Sequence, residues 1–281
     1  MTSTPVSTTR TLNVAGIGPV ELTVEDRGDG QAFLLLHGGA HGSWAWDRLV
    51  PRLQARGHTV ICPVIPMDDP AAGVQEWAGA ACRCIDSVSS SEIVVVGHSM
   101  AGLALPVIAT MRRIERMVFL CAVVPLPGRR HRDCLGDPPT VITLRRDRLE
   151  FDAVGSMIVP WLTAREFYYQ DCDEAVARAA WVRMRPSAQG IWKEVSPIDT
   201  WPSTPSTYIL GKFDRSLSPD YSRRASHDLL GVDAIELDSG HAPMLSCPDE
   251  LAAALDTVVS GPAARQRSLL STERGSHGRD P

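Results

Sequence analysis

The sequence predicts an α/β fold in which a mostly parallel sheet of eight strands is flanked by helices, with a helical cap inserted after the sixth strand. Three observations predict it. Short, β-branched apolar runs alternate with longer helix-like segments, the pattern of strands joined by crossover helices. One run, Ile93-Val94-Val95-Val96, is apolar throughout, as a buried strand is. The alternation breaks after Cys121 and resumes only at Tyr208, which leaves room for an insertion.

Taken in order, Leu12-Asn13-Val14 and Val20 to Val24 alternate around Gly16-Ile17-Gly18-Pro19, a turn signal, and read as a hairpin. The sheet continues through Phe33 to Leu36, Thr59 to Cys62, Ile93 to Val96 and Met117 to Cys121. Crossover helices are expected over Trp44 to Arg56, Val74 to Val88 and Met100 to Arg112. Val123 to Ser196 carries proline, arginine and helical pieces and is expected to form the cap. The last strands are Tyr208 to Gly211 and Ala234 to Leu237. Residues 10–260 thus read as one domain without internal repeats. Residues 1–9 are expected to be a flexible N-terminus and residues 261–281, rich in Arg, Ser and Gly, a disordered tail.

At 281 residues and 44% hydrophobic content the chain is long enough to bury one large core. A net charge of -5, with no basic stripe beyond the short clusters Arg129-Arg130-His131-Arg132 and Arg145-Arg146, argues against a nucleic-acid surface. Those arginines read as solvated loops. No uninterrupted apolar run suits a membrane span, and the Ser/Thr-rich opening lacks a signal peptide's apolar core, so a cytoplasmic location is expected with a small-molecule partner and no membrane partner. The sequence leaves the oligomeric state open. The seven cysteines, Cys62, Cys82, Cys84, Cys121, Cys134, Cys172 and Cys247, show no Cys-x-x-Cys spacing and read as reduced, mostly buried thiols. Cys82 and Cys84, two apart on a helix, point in different directions and suit neither a disulfide nor a metal clip. No metal or cofactor is expected.

The chemistry is carried by Gly97-His98-Ser99-Met100-Ala101-Gly102, which follows the apolar run directly. A serine flanked by small residues at a sharp strand-to-helix turn is a nucleophile elbow: the strained backbone projects the hydroxyl above the sheet. The strict pattern has glycine two residues after the serine, where this chain has Ala101 and then Gly102. In this architecture an acid and then a histidine follow, each at the end of a later strand. Tyr208-Ile209-Leu210-Gly211 leads to Asp214, and Ala234 to Leu237 leads to His241. Asp214 is therefore the expected acid and His241 the expected base. Asp238 is the rival acid, but three residues before the histidine it better suits a turn-shaping role. The strand Phe33 to Leu36 breaks into His37-Gly38-Gly39-Ala40, where glycine lets backbone amides approach a ligand closely. The amides of Gly39 and Met100 are the expected oxyanion hole.

With these pieces in place, residues 10 to 260 resemble the α/β-hydrolase superfamily. His37-Gly38-Gly39-Ala40-His41-Gly42-Ser43-Trp44-Ala45-Trp46 and His241-Ala242-Pro243-Met244-Leu245-Ser246 are similar to the branch that holds plant methylesterases, hydroxynitrile lyases and related bacterial esterases. The resemblance implies an esterase-like site beneath a cap. Hydroxynitrile lyases of that branch carry threonine at the position of Gly39 and lysine at that of Ala242. Without that lysine there is no fixed cation for a departing cyanide, which favours hydrolysis.

His37 and His98, each beside a glycine at a strand end, read as imidazoles that bond local backbone, and His58 as the opening of a strand. His41, with Trp44 and Trp46, either lines the pocket floor or begins the first helix. Trp161, Phe167, Tyr168, Tyr169, Trp181 and Trp192 concentrate in the cap. They either roof the site, which would suit an apolar or aromatic acyl group, or pack cap against core. His41, Trp161, Tyr168 and Trp181 are the candidate substrate-binding residues. The expected function is a serine hydrolase acting on a small carboxylic ester, lactone or thioester through an acyl-enzyme. The alternatives are carbon–carbon bond hydrolysis, decarboxylation or cyclisation on the same residues, or ligand binding in a retained hydrolase pocket.

Overall fold

The computed structural model describes residues 8–14, 18–24, 30–86, 93–135 and 141–260. The expected tail 261–281, the N-terminal residues before Thr8 and part of the first hairpin turn lie outside them. Strand β1 (Thr8–Val14) pairs antiparallel with β2 (Gly18–Val24), so the expected hairpin forms but begins at Thr8 rather than Leu12. Then follow β3 (Ala32–Leu36), β4 (Thr59–Ile61), β5 (Ile93–His98) and β6 (Arg116–Leu120). A small antiparallel pair, β7 (Glu150–Phe151) and β8 (Met157–Ile158), precedes β9 (Ser206–Gly211) and β10 (Ile235–Leu237).

Six of these strands form one sheet in the order β10-β9-β6-β5-β3-β4, every pair parallel. The expectation of a single eight-stranded sheet is thus met by six strands. The β1–β2 hairpin lies beside β4 but pairs only with itself among the described residues. The main sheet is apolar on both faces, as a parallel sheet covered by helices must be. Leu34, Val95, Phe119 and Leu210 pack into one core layer, and Phe33, Val94, Val118 and Ile209 into the other, following the two-residue period of the strand.

Helix α1 (Val50–Ala55) lies on one face, where it meets the C-terminal helix. Helix α2 (Val74–Ile85) lies on the other with α3 (Leu105–Met111). Two expected helices prove shorter. Ser43–Trp46 and Ser99–Ala104 form 3-10 turns, and the α-helices start only at Val50 and Leu105, each with proline in its first turn. Pro51 and Pro106 have no N–H for a preceding helical turn, so each marks a fresh helix start rather than an interior position. Between β6 and β9 the chain leaves the sheet through α4 (Trp161–Phe167) and α5 (Glu174–Trp181). It then returns to α6 (Pro219–Arg224), α7 (Pro243–Ser246) and α8 (Pro248–Ser260). Among the described residues no helix is long and apolar enough to cross a membrane.

The order of strands matters for the site. The chain steps outward from β3 to β4, then crosses back over β3 to enter β5 and proceeds toward β6. The direction of winding reverses beside β5, and in open α/β sheets the crevice at the carboxyl ends of the strands flanking such a reversal is where ligands bind. The turn after β5 is tightly packed: a Cβ on Gly102 would overlap the carbonyl oxygen of Val123. Gly102→Ala is therefore expected to destabilise the fold by about 1–3 kcal/mol, read as a lower urea midpoint, whereas Ala101, where the strict pattern has glycine, already accommodates its methyl.

Candidate active site

Ser99 leaves β5 with φ +55°, a left-handed backbone that a non-glycine residue adopts only under constraint. The constraint is crowding. A Cβ at Gly97 would stand 3.0 Å from the Ala101 carbonyl, and one at Gly38 would stand 2.9 Å from the Cβ of Ser99. Only glycine at both positions lets the β3 and β5 loops close on the serine, and the turn then projects the side chain upward from the strand end.

The loops after β9 and β10 converge on the same point. His241 Nδ1 donates to Asp214 Oδ2 at 2.8 Å, and the Ser99 hydroxyl donates to His241 Nε2 at 3.1 Å. Asp214 Oδ1 accepts the backbone N–H groups of Ser216 at 2.8 Å and Leu217 at 2.9 Å, so the carboxylate is fixed on both oxygens. With Nδ1 carrying the proton for Asp214, Nε2 presents a lone pair to the serine. Asp238, the rival acid, is exposed and pairs with Lys212, away from His241.

The β3 loop is held by two imidazoles. Gly38 O accepts from His37 Nδ1 at 3.0 Å and from the His41 N–H at 3.3 Å. A trans peptide is planar, so anchoring that carbonyl aims the Gly39 N–H in the opposite direction. His41 Nδ1 donates to Gly39 O at 2.8 Å and fixes the next peptide in turn. On the other side Met100 lies in the first turn of the 3-10 segment Ser99–Ala104, where the N–H has no acceptor within the helix. His37 also accepts the Ile65 N–H at 3.1 Å, and His41 Nε2 accepts the Tyr169 hydroxyl at 2.9 Å. Both rings are thereby used as neutral donor–acceptors. Burial holds each pKa down to about 4.

His98 reaches further than local backbone: its Nε2 donates to the His241 carbonyl at 2.8 Å, bracing the His241 loop from below, and burial holds its pKa well below the usual value. Four consecutive residues brace the site from above. The Tyr168 ring lies 5.4 Å from that of His241, and the Tyr169 hydroxyl bonds His41. Gln170 Nε2 donates to Phe213 O at 2.8 Å, next to Asp214, and Asp171 Oδ2 accepts the Gly240 N–H at 2.6 Å, next to His241. One short strap thus ties the loops after β3, β9 and β10 together. Nothing in the sequence pattern marks these pairings, because each partner lies far away along the chain.

A cavity of about 190 Å³ opens above Ser99 and His241. Met100, Tyr168, Met157, Phe151, Trp192 and Leu217 are among its walls. Of the four candidate substrate-binding residues only Tyr168 lines it. Trp161 and Trp181 pack edge to face at 5.7 Å with Arg178 over the Trp161 ring, and the Trp181 Nε1 donates to Val159 O, so this pair serves the packing of α4 and α5. His41 is buried behind the β3 loop as a brace. Conversely, Ile142, Leu144, Leu149 and Phe151 line the cavity although the sequence offered only their apolar character among arginines. All seven cysteines are free, and no cluster among the described residues has the makings of a metal site.

The model of the alpha/beta hydrolase family matches residues 33–254. Salicylic acid-binding protein 2 of Nicotiana tabacum is 26% identical over 81% of this chain and 96% of its own length. Methylesterase 7 of Arabidopsis thaliana is 26% identical over 82% of this chain and 96% of its own. Among solved structures, polyneuridine aldehyde esterase superposes with a TM-score of 0.70 at 21% identity, covering 82% of this chain and 99% of that one. A pyrethroid hydrolase superposes with a TM-score of 0.70 at 20% identity, covering 84% and 99%. These structural likenesses speak to the fold.

The buried imidazoles make stability depend on pH. His37 and His41 are held neutral in the folded state and take up protons near the ordinary 6.5 once unfolded, so their contribution is complete above about pH 6.5 and is lost as the pH falls toward about 4, and His98, whose pKa burial also holds down, acts in the same direction. Urea titrations are expected to show stability falling between pH 7 and pH 5 by up to about 1.4 kcal/mol per pH unit for each such ring. Tyr169→Phe strands the buried acceptor on His41 and is expected to cost about 1–3 kcal/mol in the same assay.

Proposed function

The chain belongs to the alpha/beta hydrolase family, and on that footing we propose that it is an esterase-like serine hydrolase that cleaves a small carboxylic ester, lactone or thioester through an acyl-enzyme. The observation that carries this reading is the continuous line of hydrogen bonds from Asp214 through His241 to Ser99. His241 Nε2 takes the Ser99 proton as the oxygen attacks the acyl carbon, and returns it to the leaving group as the tetrahedral intermediate collapses. Water then repeats the sequence and releases the acid. Asp214 keeps Nδ1 protonated and stabilises the imidazolium that forms at each step.

The developing oxyanion is received by the N–H groups of Gly39 and Met100. The anchoring of the Gly38 carbonyl by His37 supports this assignment for Gly39, because the amide is aimed before substrate arrives. Such preorganisation matters: losing one oxyanion donor typically costs about 2.7–4 kcal/mol of transition-state stabilisation. In this reading residues 123–196 act as the cap over a domain of residues 10–260, with Tyr168 as the cap's contact with the substrate. The cavity is small on the scale of ligand sites, which favours a short acyl group and a short alcohol. Methylesterase 7, one of the relatives, is named for the short alcohol that this size suits. Ala242, next to the base, supplies no cation, and this favours hydrolysis over a lyase reaction that expels an anion.

A fluorophosphonate probe is expected to label Ser99, with a single adduct found by peptide mapping, and the label should be lost in Ser99→Ala and in His241→Ala. Ser99→Ala is expected to lower turnover of a short nitrophenyl ester by about a thousandfold or more. Undiminished ester turnover in that variant would refute the assignment.

A further inference from the structure

One wall of the cavity is a single stretch of chain, in which Ile142, Leu144, Leu149 and Phe151 face the space above Ser99. Arg146 belongs to the same wall, and its guanidinium lies over the Phe151 ring at 4.2 Å from the centroid. The residue is exposed, which puts it where the cavity meets solvent. Its neighbours are neutralised: Arg145 pairs with Asp147 at 2.8 Å and Arg148 with Glu166 at 2.6 Å. Arg146 has no carboxylate partner among the described residues, and no aspartate or glutamate lines the cavity. Everything else on that lining is apolar, hydroxyl, amide or the histidine itself.

A guanidinium without a carboxylate partner at the mouth of an apolar space is available to a ligand, whereas a neutral side chain would cover Phe151 equally well. Contact with the ring holds the guanidinium at this wall, and a guanidinium can donate two parallel hydrogen bonds, the geometry that matches a carboxylate. We infer that Arg146 is an anion subsite at the mouth of the cavity, and that the substrate is a small, largely apolar ester with a free carboxylate at the end remote from the scissile bond. Half-esters of short dicarboxylic acids are the simplest members of that class. The scissile ester sits over Ser99, the apolar spacer runs along Leu144, Leu149 and Phe151, and the carboxylate meets Arg146. The reaction assigned to this substrate rests on the ester-hydrolase reading, whereas its recognition does not.

The test separates the two. Ser99→Ala protein is titrated with monomethyl adipate and with its neutral terminal amide, and affinity is read from the shift in melting temperature. The half-ester is expected to bind about tenfold tighter than the amide, with the gap narrowing at high salt. In the Ser99→Ala background, Arg146→Gln should collapse that gap and Arg146→Lys should restore part of it. In the active enzyme the same preference should appear in KM rather than kcat. Equal binding of the two compounds, binding of neither, or a gap that survives Arg146→Gln would overturn the inference. Failure to cleave any ester in a Ser99-dependent way would instead refute the hydrolase reading, while the binding titration would still judge the subsite.

Discussion

The left-handed backbone at Ser99 costs on the order of 1–3 kcal/mol and persists only where its surroundings leave no alternative. Here they leave none. Beneath the turn, β5 is anchored in parallel ladders on both sides, to β3 and to β6, and its Ile93-Val94-Val95-Val96 run is buried in two core layers at once. Around it, Gly38, Gly97 and Gly102 let three pieces of backbone approach to distances that any side chain would prevent. The strain is therefore held by the large apolar core, and the hydroxyl it projects is the point on which the other loops converge.

That convergence is organised largely by polar groups outside the cavity lining. Three buried imidazoles each bond backbone at the site: His37 the peptide before Gly39, His41 the peptide after it, and His98 the carbonyl of His241. Neutral imidazole suits this work because it offers one donor and one acceptor at fixed separation on a rigid ring, and burial keeps it neutral. From the other side, Tyr168 to Asp171 reach the loops after β3, β9 and β10 in four successive residues. The hydrogen-bonded line through Asp214, His241 and Ser99 is thus clamped from the sheet below and from the insertion above.

The insertion between β6 and β9 has a divided role. Tyr169, Ala164, Ala177 and Ala180 join one of the core layers, so this segment is packed into the body of the protein. Other positions in it, among them Ile142, Leu149, Phe151, Gln189 and Trp192, line the cavity. Substitutions on such a stretch can tune the pocket while leaving the sheet undisturbed.

Much of this was legible in the chain because it is written locally. The β-branched run before Gly97, the small residues around Ser99, and the strand ends that precede Asp214 and His241 each report a short-range backbone geometry, and such geometry follows from steric size and period two. Other features were decided only by the tertiary structure. Asp214 rather than Asp238 bonds His241, while Asp238 turns out to Lys212. Trp161 and Trp181 pair with each other rather than face the cavity. Arg146, one of a cluster that reads as solvated loop, lines the cavity beside Phe151. The physical reason is common to all three: which way a side chain faces in an irregular segment depends on partners far away in sequence, whereas a strand or a tight turn dictates that direction to its own residues.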